Sequence, residues 1–527
     1  MSKVRLLLLL VCIAFAGCSK APAPEVRPHQ GTTLSIGWPY LSGGDSLNGI
    51  QQAIGLLSYE GLVLIARDGR AQPRLAESWK ESADGLTWVF QLRPNAFFHD
   101  GSRVDSAAVK ASLTRTLSRA ERDTYPGLLD IASLETPTPD QLVIRMKAHS
   151  TFLLEDLIVA IDKRVPVEPA AEEAPVSGAV KERRFGTGPY VTSSTSSTTP
   201  PEVVMQSFPS YYRGAPEIDR IVWKSYTTAR TAWAAMMRGE IDFLYDVAPD
   251  ALEFTKNEGS VQDFSFLKNY VHGAVFNSRR PVFRDPRVRR ALNYAVDRSA
   301  IMDQVFKGHG LPASTPMWPQ HWANDVNLPN YTYDPARAVA LLEAAGLRIN
   351  KSQGNPNLPP SRLRFTCILP TNIVSFEPLA LMVQRNLSQI GVDMQLETLP
   401  LEELNRRVIA GEFDAVLLYA VAGNSAGRPY ALWYSDSKQN YPGYQDEEVD
   451  QAFDRLRKAT DDDATREAFH DLQARFLDDP PAIFLAFTET TRAVNRRFEP
   501  GVPPDTDPFK TISEWRLAGT PGPRDSN

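Results

Sequence analysis

Residues 270–305, YVHGAVFNSRRPVFRDPRVRRALNYAVDRSAIMDQV, join an extended run to a helix. Tyr270–Phe276 reads as a strand and breaks at Asn277 into an Arg-rich connector. The helix that follows has a doubly marked start. Asp285 can accept the first free amide hydrogens, and Pro286 suits the first helical position, where no N–H is needed. Val288, Ala291, Leu292, Ala295 and Val296 recur at helical spacing and give one apolar face, with Arg287, Arg289, Arg290 and Arg298 mostly off it. A strand leaving one packed body and a helix opening another predicts a domain crossing over Tyr270–Phe283.

The chain has 527 residues, too many for one core when domains hold about 100–200, so two to four are expected. Its 57 basic and 63 acidic residues give a net charge of -6, which argues against a nucleic-acid binder. Three cysteines are present, and only Cys367 lies beyond the first twenty residues, in the apolar run Leu363–Leu369. A buried small hydrophobe is expected there, and neither a disulfide framework nor a Cys-based metal site can be built.

Lys3 and Arg5 precede an apolar run, Leu6–Gly17, shorter than the roughly 20 residues a spanning helix needs and suited to a signal peptide over 1–17. It ends Phe15-Ala16-Gly17-Cys18, similar to a bacterial lipoprotein processing site with Cys18 as the lipidated first mature residue. Ser19–Gly31, with Pro22, Pro24 and Pro28, reads as a tether. The folded body is thus expected outside the cytoplasm, held at a membrane surface.

Along the chain, Asp84-Gly85 between alternating segments predicts a hairpin, and Asp105 or Ser106 caps a helix carrying Val109, Leu113 and Leu117. His99, in the turn Phe97–Ser102, is expected to pack beside aromatics. Glu168–Arg184 reads as a polar loop and Thr192–Pro201 as a solvated hairpin loop. Beyond residue 286, helices and strands alternate to a last apolar strand at Ala482–Phe487, which predicts an α/β domain with helices over its sheet. One echo stands out. Met237-Arg238-Gly239-Glu240-Ile241-Asp242-Phe243 and Ile409-Ala410-Gly411-Glu412-Phe413-Asp414-Ala415 place the same helix stop, acidic pair and strand entry once in each half. Two bodies built alike suggest a bilobal protein with a cleft between lobes.

The chain resembles extracytoplasmic solute-binding proteins of the peptide, nickel and oligosaccharide ABC-importer class, family 5. The resemblance rests on Tyr59–Val63, Leu75–Trp79, Asp84–Trp88, Phe98–Gly101, Gly188–Tyr190, Arg238–Asp242, Val275–Asn277, Asp285–Arg298, Tyr333–Gly346 and Gly411–Asp414, in register from about residue 34 to 490. It implies an α/β, bilobal periplasmic-binding-protein type II-like fold with an extra inserted domain, a three-domain architecture. Carried onto this chain, residues 32–58, 186–271 and 490–527 form lobe I, 59–185 an inserted domain II, and 272–489 lobe III. It also implies a non-catalytic monomer that captures a solute or peptide between the lobes, by a hinge motion, and hands it to the permease of a membrane importer. No cofactor, metal or nucleic acid is expected.

The strand Phe413–Ala422 and the loop after it correspond to the family's ligand-facing strand. Peptide-binding relatives commonly carry there a Trp and then an Asp that pairs with the peptide's amino group, where this chain has Ala420 and Gly423. A buried ammonium without its carboxylate loses several kcal/mol. That substitution points away from the usual salt bridge and toward a blocked, anionic or sugar-like ligand. Tyr419, Ala420, Asn424, Arg428, Tyr430, Trp433 and Asn277 are the candidate ligand-binding residues, with a core role for Tyr430 and Trp433 as the alternative.

Gly423-Asn424-Ser425-Ala426-Gly427 is also a literal G-x-S-x-G after an apolar strand, the form of a hydrolase nucleophile elbow. The only downstream histidine is His470, in an amphipathic helix, and Pro429 crowds the following helix start. His29, His149, His272, His309 and His321 show no metal-ligand spacing. Arg279, Arg280 and Arg284 read as a solvated connector, or alternatively as a surface for a partner or an anionic membrane.

Overall fold

From Val271 to Phe276 every residue of the crossing strand is buried, because sheet neighbours and helices cover both its faces. In the computed structural model this strand begins at Val261, earlier than the apolar run indicates. Its first half, with Gln262, Asp263, Ser265 and Lys268, carries too much polarity to read as core. The structure describes residues 31–39, 46–119, 123–166, 182–195, 202–247, 251–252, 255, 259–349, 360–371, 373, 375–421 and 423–519. The expectations for the signal peptide, Cys18, most of the tether and most of the two polar loops lie outside them. Within them, Glu182–Phe185 pairs with Lys163–Pro166, and Thr192–Thr195 belongs to a strand, so each expected loop is shorter than read.

Val261–Phe276 lies antiparallel to a similarly long partner, Ala482–Asn495, which continues past the expected end at Phe487. Val261–Leu267 face Asn495–Glu489, the register shifts, and Val271–Val275 then face Phe487–Ala482. Lys268, Asn269 and Tyr270 fall in the slip. These two strands form the middle of an 11-stranded sheet. To one side lie Phe243–Leu244, Thr33–Trp38, Arg220–Ser225, Glu202–Ser207 and Tyr190–Thr195, to the other Ala415–Val421, Leu363–Pro370 and Val392–Leu399, and the short strand Gly310–Pro312 pairs with Ala482–Asn495 off this path. A separate four-stranded sheet carries the expected hairpin, Ala76–Glu81 and Thr87–Leu92, with Gly85 at φ 69 in the turn.

The buried apolar residues fall into distinct clusters. One, around Leu34, Trp223, Phe243 and Trp515, draws on both ends of the chain and its middle. Another fills the four-stranded sheet around Phe90, Phe98 and Leu142. Two more cover the opposite faces of the half containing Ala415–Val421, one around Phe276, Leu292 and Leu379, the other around Phe413, Trp433 and Phe484. Cys367 is in the first of these, and burial pushes its thiol up to about 12.

The internal echo is a repeated piece of construction. Gly239 and Gly411 both stand at φ 71, closing helices Ala229–Met237 and Leu401–Ala410. Asp242 then accepts from the Ser35 amide at 2.9 Å, and Asp414 from the Thr366 amide at 3.0 Å, each reaching a neighbouring strand. Each also meets an arginine, Asp242 with Arg497 at 2.7 Å and Asp414 with Arg280 at 3.0 Å. Asp242→Ala is expected to cost about 1–3 kcal/mol, since it strands a strand amide and a guanidinium, and Asp414→Ala somewhat less, being more exposed. Urea denaturation measures both; unchanged midpoints would refute the role.

Helix Pro286–Tyr294 starts as expected, with the Asp285 carboxylate accepting from the Arg287 amide at 2.9 Å. Two arginines of this stretch correct the expected face. Arg289 is buried, ion-paired to Asp479 and donating to the Phe283 and Pro480 carbonyls. Arg298 is buried too, at the start of the next helix, Arg298–Gln304. Polarity marked them as surface, whereas their forks are spent inside on backbone carbonyls.

Candidate functional site

In open sheets with parallel strands, ligands lie at the carboxyl ends of those strands. Here Leu363–Pro370 and Ala415–Val421 run parallel, and the turn after Val421 leads to helix Gly427–Trp433. That edge adjoins the slip: the Gly423 amide donates to the Asn269 carbonyl at 3.0 Å. Gly423 stands at φ 64, and a Cβ there would come within 2.8 Å of the Arg428 side chain. Only glycine suits the turn.

Tyr419 projects from the strand into an aromatic group, 4.7 Å from the ring of His272, 4.7 Å from Phe376 and 6.1 Å from the exposed Tyr270. Burial lowers the His272 pKa to about 4, so its imidazole is neutral; Nδ1 faces the Ala486 carbonyl at 3.3 Å and Nε2 has no partner. Ala420 faces the other side and is buried in the core.

Asn424, Arg428 and Tyr430 come together, but against segments from 60–161 rather than in open space. The Asn424 amide donates to the Ala66 carbonyl at 3.2 Å. Arg428 donates to the Thr124 carbonyl at 2.9 Å and lies 4.5 Å over the Tyr125 ring. Tyr430 packs on Phe152 and stacks on Tyr434 at 4.4 Å. Trp433 is fully buried between Tyr444 and Phe484. Asn277 is buried at the far end of its strand, donating to the Gly411 and Phe413 carbonyls at 3.1 and 2.8 Å. The side chains of Trp433 and Asn277 are therefore taken up in holding the lobe together.

Two contributors escaped the sequence reading. The turn 66–70 reaches across: Trp318 Nε1 donates to the Arg67 carbonyl at 2.8 Å, Arg70 lies 4.1 Å over the Trp322 ring, and Arg67 pairs with Asp505 at 2.6 Å. Glu155 accepts from the Gly427 and Ala426 amides at 2.9 and 3.4 Å, with the Ser425 side chain beside it helping to favour its charged form. Burial raises its pKa to about 7, against those hydrogen bonds and nearby Arg428. The neighbouring Asp156, fully enclosed, is raised further and accepts from the Gly127 amide at 2.7 Å. Two adjacent acids inside the apolar run Phe152–Val159 were the available clue.

The strand-turn-helix context of the G-x-S-x-G motif is present after all, since Pro429 is accommodated in the first turn of Gly427–Trp433. Ser425 is oriented by Glu155. His470 sits on helix Asp462–Asp478 with Nδ1 2.7 Å from Asp325. His321, stacked on Phe469, accepts from the Ala323 amide through Nδ1. His99 Nε2 donates to the Gly188 carbonyl at 2.9 Å, and its ring lies beside Phe208, as its turn position indicated. Among the described residues, no histidine is hydrogen-bonded to Ser425.

The chain is similar to the glutathione-binding protein GsiB of Pectobacterium atrosepticum, 28% identical over 496 residues covering 90% of this chain and 91% of the relative. It is also similar to the probable D,D-dipeptide-binding periplasmic protein DdpA of Escherichia coli, 25% identical, covering 83% of this chain and 84% of the relative. Among solved structures it superposes on NikZ from Campylobacter jejuni, in complex with Ni(L-His), with a TM-score of 0.74 at 23% identity over 92% of this chain and 99% of that one. On the oligopeptide-binding protein AppA of Bacillus subtilis the TM-score is 0.73 at 21% identity, covering 93% of this chain and 100% of that one. Residues 70–442 match the family model described as bacterial extracellular solute-binding proteins, family 5 Middle, so the chain belongs to that family of binding proteins.

Proposed function

We propose that this protein captures a short peptide-like solute between its two halves and presents it to the permease of an ABC importer, without altering it. The observation that carries this reading is the pair of long strands running through both halves, with a register slip at Lys268–Tyr270 beside the turn after Val421. Dihedral change confined to such a slip lets packed bodies rotate without unpacking their cores. The lobes are then 32–58, 186–271 and 490–527 against 272–489, with 59–185 inserted. Tyr419, with Asn424 and Arg428 behind it, lines the lobe III side.

The relatives that bind glutathione and D,D-dipeptides support a peptide-like ligand. The alanine and glycine at 420 and 423 support one that is not held by an ammonium-carboxylate pair at that strand. The lipoprotein-like Ala16-Gly17-Cys18 supports anchoring at the periplasmic face of a membrane, as a monomer. The orientation of Ser425 by a carboxylate, without a histidine beside it, supports a structural role over catalysis.

Mass spectrometry of the protein under native conditions is expected to show a co-purifying small molecule. A panel of glutathione, dipeptides and oligosaccharides should raise the melting temperature for one class only, through binding to the folded state. Ser425→Ala should retain that shift. Hydrolysis of an activated ester that disappears in Ser425→Ala would overturn the reading.

A further inference from the structure

The connector that follows the crossing strand is more than a link. At its base lies a depression of about 340 Å³ lined by Ser278, Arg279, Arg284, Ser435, Ser437 and Gln445, among others, with no carboxylate in its wall. Arg280 beside it is neutralised by Asp414, and Arg287 by Asp285. Arg279 and Arg284 pair with no carboxylate among the described residues.

Both guanidiniums are nonetheless held in place, by neutral groups. Arg279 donates to the Tyr441 carbonyl at 2.6 Å, and Arg284 to the Arg279 carbonyl at 3.2 Å. Gly443, at φ 65, lets the Arg279 fork lie on the backbone, where a Cβ would stand 2.7 Å from its Cζ. The Ser278 hydroxyl is buried in the same wall and has no partner. Asp450 is close behind, but it is turned to the Ser435 amide at 2.9 Å. Positioned, uncompensated arginines with hydroxyls around a concavity are what a tetrahedral oxyanion requires, since guanidinium forks match its oxygens in pairs.

We propose that this depression is an anion site, separate from the solute cleft, for a phosphate group. The group is either free phosphate or the headgroup of an anionic lipid.

The test uses the full chain carrying Cys18→Ala, so that no acyl anchor contributes, with and without Arg279→Gln plus Arg284→Gln. Inorganic phosphate is titrated at constant ionic strength, and sedimentation with phosphatidylglycerol vesicles is compared with phosphatidylcholine vesicles. Phosphate binding that weakens about tenfold or more in the double variant supports a free-phosphate site. Retention on phosphatidylglycerol alone, lost in the double variant without any phosphate response, supports a headgroup site. Arg284→Gln alone, which removes one exposed side chain, should show the same direction and guards against misfolding of the double variant. Equal behaviour of parent and variants in both assays overturns the proposal, and leaves solute capture in the cleft untouched.

Discussion

Arg298→Ala is expected to lower the unfolding free energy by about 3 kcal/mol or more, because several buried carbonyls lose their donor together. Among the described residues Arg298 has no carboxylate partner. Its fork donates to the carbonyls of Ala313 at 2.8 Å, Phe484 at 2.7 Å and Asn293 at 2.9 Å, and to the Asn293 side chain at 2.7 Å. Burial drags its pKa down to about 10, with the Tyr331 ring 5.6 Å away. One of those acceptors, the Phe484 carbonyl, lies where Val261–Phe276 and Ala482–Asn495 shift register a second time, between His272 and Gly273. Removing the fork leaves several of them buried without donors, each costing about 1–3 kcal/mol. Arg298→Lys should recover little, because an ammonium cannot span acceptors that lie on three segments. Urea denaturation reads the effect, and a loss below about 1 kcal/mol would refute it.

Stability should rise as pH falls from about 8 toward 5, and Glu155→Gln should remove much of that slope. Glu155 has its ordinary pKa of 4.5 raised to about 7 by burial at the contact between helix Phe152–Asp156 and the turn before Gly427. The protonated form is therefore the one the docked arrangement favours. Its contribution is fully present below the unfolded value and is lost as pH rises through about 7. The shift bounds it at roughly 3 kcal/mol at most, since Glu155 keeps part of its surface in water. Arg428 faces both acids and opposes the shift, while Asp156, also raised, supplies the slope that remains in Glu155→Gln. Denaturation midpoints across that pH range in both proteins decide it; parallel slopes would sink the assignment to Glu155.

Much of the architecture was legible because local chemistry and long-range packing agree. Asp285-Pro286, Asp334-Pro335, and the glycines at 239, 346, 391 and 411 mark helix ends by backbone rules that tertiary context did not override. The polar half of Val261–Phe276 and the continuation of Ala482 to Asn495 were not legible. Their pairing is with each other, more than 200 positions apart, and neither alternates cleanly. At the candidate site the strand and the turn after it were legible, since Ala415–Val421 falls within the expected run Phe413–Ala422. The helix face was misread at Arg289 and Arg298, which are buried on internal acceptors that composition cannot reveal. Glu155 was missed for the same reason: its partners are amides of a turn some 270 residues away.

Sharing two strands between halves also governs how the protein avoids sticking to itself. An isolated half would expose a row of open amides and carbonyls at the seam, an invitation to pair with a neighbouring molecule. Because Val261–Phe276 and Ala482–Asn495 belong to both, the main path of the large sheet ends at Tyr190–Thr195 and Val392–Leu399, with the short strand Gly310–Pro312 paired beside Ala486–Thr488. The first is mostly serine and threonine with exposed side chains, and the second bears Asp393 and Glu397, tied to Arg364 and Arg407. Charge and hydration at those two rims are what keep so wide a sheet from growing by addition of further chains.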